Sequence, residues 1–223
     1  MESPVCGGAL HVLGTGSVLG VPKEHIRIAA LPLPLRWLRE PESWSVPDGA
    51  SLLITAGRRT DWFADPQLSA EPTLNAPALV GDPSGDFLLS ARVTVDFAAT
   101  YDAGVLALYG GERVWAKLCF EYSPQREPMV VSVVTRGVSD DCNSFVVEGA
   151  SVWLRVARIG PAFAFHASTD GGSWSFIRHF ALEAGGEPSV GFAAQSPTGE
   201  GCAVTFDRIA YEAARLGDLR SGE

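Results

Sequence analysis

The chain has 223 residues, with 17 Lys and Arg against 26 Asp and Glu, so its formal net charge is −9. This acidic balance argues against a nucleic-acid-binding protein and against binding to an anionic membrane surface. Hydrophobic residues make up 46% of the chain and charged residues 19%. A chain of this size and composition can bury about 70% of its unfolded surface, which excludes a disordered protein.

Residues 1–34 form a predicted N-terminal arm that either covers an edge strand or contributes to an interface. The apolar stretch from Val5 to Val21 is rich in glycine and lacks a basic leader, so we do not expect a signal peptide. No run reaches the ~20 apolar residues of a membrane helix. The four cysteines are scattered, without C-x-x-C spacing, which favours reduced thiols over a metal site and leaves disulfides open. The sequence therefore predicts a cytoplasmic protein.

Between residues 35 and 212, Gly and Pro punctuate short runs rich in Val, Phe, Trp and Thr, which is the pattern of strands and turns. Asp48-Gly49 predicts a tight hairpin turn. Only Tyr211–Leu216 looks helical, at the start of a C-terminal tail (213–223). The pattern predicts one all-β antiparallel sandwich. After the hairpin, its strands are expected at Phe87–Phe97, Gly104–Tyr109, Val114–Tyr122, Met129–Arg136, Ser151–Ile159, Ala162–Ser168, Trp174–Phe180, Ser189–Gln195 and Cys202–Ala210.

The predicted strand Val114–Tyr122 alternates in polarity. Because successive side chains of a strand point to opposite faces, one face is apolar, and Trp115, Lys117 and Glu121 share the other face. If Tyr122 lies opposite Met129 and Tyr109 opposite Val114, the neighbouring strands add further polar side chains to that second face. The map depends on register, since a slip of one residue inverts each neighbour.

In this register Trp115 lies beside Arg136 as a cation–π pair, and Asp102 lies opposite Glu121 as a potential carboxylate pair. Partial burial could lower the pKa of Lys117 and let it act as a base, a Schiff-base amine or an anchor for a ligand carboxylate. The alternative is a side chain whose end reaches water or pairs with a nearby acid. The alternative for the whole surface is an ordinary solvated sheet face. The predicted ligand-binding residues are Asp102, Trp115, Lys117, Glu121, Ser132 and Arg136.

Several short motifs occur together in a characteristic order. They are Trp44-Ser45-Val46, Asp96-Phe97 with Tyr101-Asp102, Trp115-x-Lys117-x-x-x-Glu121, the run from Ser132 to Arg136, Ser139-Asp140 and Ser168-x-Asp170-Gly171-x-x-Trp174. In this combination residues 33–212 resemble the concanavalin A-like lectin/glucanase sandwich domain of the yeast regulator-of-enolase type, a domain family of unknown function. The resemblance implies a two-sheet jelly roll with one concave sheet.

The chain departs from that family at two positions in the groove that the resemblance implies. Ala103 stands where a Gln often follows the Tyr-Asp pair, and Asp141 stands where an aromatic residue often follows the Ser-Asp pair. Glucanases of the superfamily carry two or three alternating acidic residues on one strand. The matching strand here has a single carboxylate, Glu121, so we do not expect ordinary glucanase activity.

Three functions stay open at this stage. The first is a binding module that holds a carbohydrate or another polar small molecule in its concave face. The second is an enzyme, an isomerase, lyase or cyclase, that uses Lys117, Asp102 or Glu121 as a proton donor or base. The third is a regulatory partner of a metabolic enzyme, by analogy alone. We expect no metal and no cofactor, a small-molecule or sugar ligand, and neither nucleic acid nor membrane as a partner, and we leave a homodimer open.

Overall fold

The structure is a computed structural model that describes residues 25–223, and this part of the chain contains no helix, so none that could span a membrane. It folds into sixteen β-strands. They are β1 (Arg36–Arg39), β2 (Ser43–Ser45), β3 (Leu52–Gly57), β4 (Trp62–Phe63), β5 (Thr73–Leu74), β6 (Ala78–Gly81), β7 (Phe87–Val95), β8 (Ala103–Gly111), β9 (Val114–Tyr122), β10 (Pro128–Arg136), β11 (Val138–Val146), β12 (Ser151–Ile159), β13 (Ala162–Ser168), β14 (Ser175–Ala181), β15 (Ser189–Gln195) and β16 (Gly201–Glu212).

Two seven-stranded antiparallel sheets pack face to face, which confirms the predicted sandwich. The front sheet has the order β1-β6-β15-β8-β9-β10-β11, and the back sheet has the order β14-β13-β12-β7-β16-β3-β2. The runs predicted at Val114–Tyr122, Ser151–Ile159, Ala162–Ser168 and Ser189–Gln195 match strands β9, β12, β13 and β15 residue for residue. Short runs rich in strand-forming residues, with glycine and proline near the joints, therefore locate these strands.

The main core lies between the two sheets and is built by the alternation of each strand. Along β7, the residues from Phe87 to Val95 are buried at every second position. From the front sheet, Leu118 and Phe120 of β9 enter the same core. Each fully buried side chain of this size contributes about 1.5–3 kcal/mol to stability.

The hairpin predicted at Asp48-Gly49 is present between β2 and β3, with a longer loop than a two-residue turn. The Asp48 carboxylate accepts hydrogen bonds from the backbone N–H groups of Ala50 (2.9 Å) and Ser51 (2.6 Å). Gly49 has a φ of +74°, a conformation that glycine adopts without a steric cost.

The predicted register of β9 with both neighbours is wrong by one residue. Tyr122 lies opposite Pro128, because the β9–β10 loop is one residue shorter than predicted. In this loop Arg126 has a φ of 67°. On the other side, Gly111 lies opposite Val114, and a bulge between Tyr109 and Gly111 shifts the pairing so that Tyr109 faces Trp115. Bulges of this kind insert a residue into one strand and change which side chains share a face.

The corrected register moves three predicted site residues to the opposite side of the front sheet. Ser132 lies opposite Leu118 and shares the core side of β10, and Arg136 lies opposite Val114. The Asp102 backbone bonds to Tyr122 rather than lying opposite Glu121. The predicted Trp115–Arg136 cation–π pair and the Asp102–Glu121 carboxylate pair are therefore both wrong.

Two further secondary-structure expectations differ from the structure. The predicted helix at Tyr211–Leu216 is instead the end of β16, where Tyr211 lies opposite Leu89, followed by irregular chain. Five strands were not predicted: β1, β4, β5, β6 and β11. The first four have only two to four residues, and most residues of β11 are polar and exposed, as in an edge strand.

The outer faces of both sheets are partly covered. A flap formed by residues 58–77, which contains the β4–β5 hairpin, packs Trp62 against the outer face of the front sheet. The C-terminal segment, residues 213–223, packs Leu216 against the back sheet. Most of the predicted N-terminal arm, including the Val5–Val21 stretch, lies outside the described residues. In its described part, Ile26 forms backbone hydrogen bonds with Leu35, and Ile28 is buried in the main core.

Candidate functional site

A pocket of about 260 Å³ opens on the outer face of the front sheet, beside the flap. Strand β9 supplies two charged side chains to it, and the strand ends, the flap and the neighbouring strands supply the walls. Its lining combines apolar and aromatic surface with a few polar groups, which is the usual composition of a small-ligand site. The lining residues are Asp61, Phe63, Tyr101, Lys117, Glu121, Val131, Val133, Asp141, Gln195 and Pro197.

Lys117 is buried at the base of this pocket, with only 3% of its surface exposed. Its Nζ donates hydrogen bonds to Asp61 Oδ1 (3.1 Å) and to Gln195 Oε1 (2.9 Å). An ammonium has three N–H donors, and among the described residues two of them have partners. The third N–H group has no hydrogen-bond partner among those residues.

The charge of Lys117 is stabilised by its surroundings. Burial by itself lowers the pKa of Lys117, but the carboxylate of Asp61, together with Cys119 and Glu121, outweighs burial and holds the pKa above its usual value. A lysine with a raised pKa is protonated at neutral pH, so it serves as a hydrogen-bond donor. The direction of this shift is opposite to the lowered pKa considered from the sequence, and Lys117 instead pairs with a nearby acid, Asp61.

Asp61 is fixed by contacts within the flap. Its Oδ1 also accepts a hydrogen bond from the backbone N–H of Trp62 (2.7 Å), and its own N–H donates to Asn75 Oδ1 (2.7 Å). Asn75 in turn donates from its backbone N–H to the Asp61 carbonyl (3.0 Å). The loop thus presents the carboxylate to Lys117 in one orientation.

Glu121 lies on the same face as Lys117 and is partly buried. Burial raises the pKa of Glu121 to about 7; the ammonium of Lys117 opposes this rise, and the carboxylates of Asp61 and Asp141 add to it. A carboxyl group with a pKa near neutrality can both donate and accept a proton under physiological conditions.

Aromatic side chains form part of the pocket wall. Phe63 lies in the flap and is partly buried, whereas Tyr101 is 39% exposed. Tyr101 has a φ of 70°, which is uncommon for a residue with a side chain. Its N–H donates to the Tyr122 carbonyl (2.7 Å), and its carbonyl accepts a weak hydrogen bond from Gln195 Nε2 (3.5 Å).

The six predicted ligand-binding residues separate into three groups. Lys117 and Glu121 line the pocket. Trp115 lies on the predicted face but is fully buried under the flap, with its ring centroid 6.4 Å from that of Trp62. Asp102 and Ser132 are buried on the other side of the sheet, and Arg136 is exposed and donates to the Ala181 carbonyl.

Sequence reasoning missed several pocket residues. Asp61 and Phe63 come from a flap whose position no local pattern predicts, and Gln195 comes from the end of a distant strand. A signal was present for Asp141, which stands where the resembling family often has an aromatic residue, and for Tyr101, which belongs to a motif of that resemblance.

A larger hollow of about 460 Å³ lies at the other end of the flap, lined by residues such as Leu68, Glu71 and Arg113. Glu71 and Arg113 are exposed. No buried polar group directs a ligand into this hollow, among the residues that the structure describes. The Lys117 pocket is therefore the better candidate site.

The family model described as "Protein of unknown function (DUF1349)" matches residues 37–214. The chain belongs to the DUF1349 family. No curated protein matches it significantly in sequence. The match spans both sheets and every residue of the Lys117 pocket. The DUF1349 chain is thus a concanavalin A-like β-sandwich in a family of unknown function.

Solved structures share this fold. A functionally unknown protein from Saccharomyces cerevisiae has a TM-score of 0.74 at 24% identity, covering 82% of this chain and 97% of that one. The GH43 BlXynB protein from Bacillus licheniformis has a TM-score of 0.65 at 17% identity, covering 81% of this chain and 37% of that one. A xylan beta-1,4-xylosidase from Bacillus halodurans has a TM-score of 0.62 at 14% identity, covering 78% and 35%. This DUF1349 chain therefore corresponds in fold to about a third of those longer proteins.

Proposed function

We propose that the Lys117 pocket binds a small neutral saccharide or a similar polyhydroxylated molecule. The observation that carries the proposal is the buried ammonium of Lys117, which Asp61 and Gln195 hold at the base of an open pocket. Desolvating a charged group is costly unless its hydrogen bonds are satisfied. A ligand hydroxyl at the third N–H group would complete the hydrogen bonding of this ammonium.

The charges of the pocket favour a neutral ligand over an anionic one. Asp61 balances Lys117, and the two remaining carboxyl groups, Glu121 and Asp141, leave the pocket neutral to negative. A phosphate or a uronate would meet repulsion from these carboxylates. Hydroxyl groups can donate to carboxylates and accept from the ammonium, so a polyhydroxylated ligand satisfies both kinds of partner.

The shape of the pocket supports the same ligand class. A volume of about 260 Å³ is just below the ~300–1,000 Å³ range of drug-sized pockets, so a small ligand is expected. Phe63 and Tyr101 supply apolar faces against which a sugar ring can pack. One of the similar structures is a xylan beta-1,4-xylosidase. For this reason xylose and xylo-oligosaccharides are the first ligands to test.

A saccharide panel measured by calorimetry tests the proposal, with the wild type compared with Phe63→Ala. Phe176→Ala is the matched control, because Phe176 is also a partly buried aromatic residue but lies on the back sheet. We expect binding by the wild type and by Phe176→Ala, and a loss of at least tenfold in affinity for Phe63→Ala. No binding by the wild type, or equal binding by all three proteins, would overturn the proposal.

A second candidate is an enzyme that uses Glu121 as a general acid or base, and the pKa of about 7 favours it. A saccharide identified by the panel is incubated with the protein, and product formation is followed by NMR. Glu121→Gln keeps the shape of the side chain and removes proton transfer. Turnover by the wild type that is lost in Glu121→Gln while binding is kept would support catalysis, and an unchanged ligand spectrum would exclude it for that ligand.

We also propose that the chain belongs to the regulator-of-enolase type within the family and that it acts in the cytoplasm. The ordered motifs support the first assignment, and the scattered cysteines support the second. A fluorescent fusion that is secreted or membrane-associated would contradict the location.

Sedimentation at several concentrations decides between a monomer and the homodimer left open by the sequence.

A further inference from the structure

Three chain segments that are distant in sequence meet at Ser196, directly behind the Lys117 pocket. One segment carries Asp61, the second carries Tyr101, and the third carries Gln195. Ser196 follows β15 and is fully buried. It lies in the loop between β15 and β16.

Ser196 joins the first and third segments through its backbone. Its N–H donates to both the carbonyl and the hydroxyl oxygen of Thr60 (3.1 Å each), and the Thr60 N–H donates to the Ser196 carbonyl (3.2 Å). Asp61 and Gln195 are the adjacent residues on the two segments. This bridge therefore sets the separation of the two oxygens that hold Lys117.

The Ser196 side chain joins the second segment through Asp102. Ser196 Oγ donates to Asp102 Oδ1 at 2.6 Å, and Asp102 Oδ2 accepts from the N–H groups of Ala98 (2.9 Å) and Ala99 (2.7 Å). Asp102 is fully buried, and its hydrogen-bond partners among the described residues are these neutral donors. Such a carboxylate fixes the loop that ends in Tyr101.

Ser196 packs tightly against the loop that carries Gly199. A Cβ atom added at Gly199 would lie 2.6 Å from Ser196 Oγ and 2.7 Å from Ala99 Cβ. Thr198 Oγ1 also donates to the Thr100 carbonyl at 2.6 Å. The two loops are thus bound to each other on both sides of the Ser196–Asp102 hydrogen bond.

From this geometry we propose that Ser196 and Asp102 are the positioning residues of the Lys117 pocket. Their hydrogen bond keeps Asp61, Tyr101 and Gln195 in the arrangement that a ligand meets. The inference builds on the proposed function, because it assigns to Asp102 an indirect role in place of the ligand contact expected from the sequence.

The test is the titration of Glu121, followed by carbon-detected NMR of its carboxyl group in the full chain without a ligand. Ser196→Ala keeps the backbone bridge to Thr60 but releases the segment that carries Asp102 and Tyr101. Water then enters from that side, so the pKa of Glu121 falls from about 7 toward its usual value. We expect a fall of about one unit. Asp102→Ala, which removes the acceptor of both the Ser196 hydroxyl and the Ala98 and Ala99 N–H groups, gives a fall in the same direction.

Ser189→Ala is the matched control. Ser189 begins the same strand that Ser196 follows, is also buried, and donates from its Oγ to Asp82 Oδ1 at the same 2.6 Å. Both serine variants lower the thermal stability, but only Ser196→Ala shifts the Glu121 titration. A Glu121 titration that is unchanged in Ser196→Ala, or shifted equally in Ser189→Ala, would overturn the positioning role.

The outcome is independent of the saccharide panel. If the titration shifts but no saccharide binds, the proposed function fails and the positioning role stands. If a saccharide binds with wild-type affinity to Ser196→Ala and the Glu121 titration is unchanged, the proposed function stands and the positioning role fails.

Discussion

Replacing Lys117 with methionine tests the central interaction of the pocket. Methionine keeps most of the volume and apolar length of the side chain but removes the ammonium. Asp61 then loses its ion partner, and Gln195 Oε1 loses a donor at 2.9 Å. The change therefore isolates the polar contribution of Lys117 from its packing.

The magnitude follows from the burial of the two partners. Removing one member of a buried ion pair costs about 3–5 kcal/mol. The Asp61 side chain is 21% exposed and keeps a hydrogen bond from the Trp62 N–H, so water replaces part of the lost attraction. We expect Lys117→Met to lower the free energy of unfolding by about 2–3 kcal/mol.

Urea denaturation of Lys117→Met, Asp61→Asn and the double variant measures the interaction as a double-mutant cycle. The double variant should be more stable than the sum of the single losses predicts, by about 1–2 kcal/mol. The Arg92–Asp207 pair on the back sheet is the control, and its coupling should be smaller because both side chains are more exposed. Additive losses at Lys117 and Asp61 would refute the reasoning.

Three further predictions concern parts of the fold outside the pocket. The pKa of His166 is lowered to about 4, chiefly by burial. Between pH 6.5 and 4 the unfolded chain therefore binds more protons than the folded chain, and the free energy of unfolding should fall by about 3 kcal/mol as the pH decreases through that range. Urea denaturation at each pH should show this loss in the wild type and not in His166→Phe. Of the three cysteines in the described part of the chain, only Cys142 is exposed. Peptide mapping after brief thiol labelling should find Cys142 modified, and Cys119 and Cys202 should be labelled only in urea. Fast labelling of either buried thiol in the native protein would contradict the burial. Gly104→Ala places a Cβ 2.4 and 2.6 Å from two valine methyl groups of the back sheet; overpacking should cost about 1–3 kcal/mol in thermal denaturation, and an unchanged melting temperature would show that the sheets are less closely packed there.

The predictions from the sequence succeeded where the signal lies within one strand and failed where it depends on the pairing of strands. The bounds of β9 and the shared face of Lys117 and Glu121 follow from alternation within one strand. The assignment of Asp102 and Ser132 to that face required the register of two hairpins. A bulge at one hairpin and an early loop closure at the other moved both residues to the opposite side.

The misplacement of Trp115 has a different cause. Its position on the outer face was correct, but exposure depends on what covers that face. The flap that carries Trp62 lies about 50 residues away along the chain and turns the predicted open surface into a small core. Only the part of the face near Lys117 stays open as a pocket.

The amino-acid sequence by itself determined the fold class, most of the strands and the side of β9 on which the charged residues emerge. Strand-forming runs, turn residues and the two-residue period of an extended chain are all local features of the sequence. The tertiary structure alone decided which distant groups surround Lys117. Asp61 and Gln195 reach it through loop closure and strand order, and no local pattern encodes those contacts.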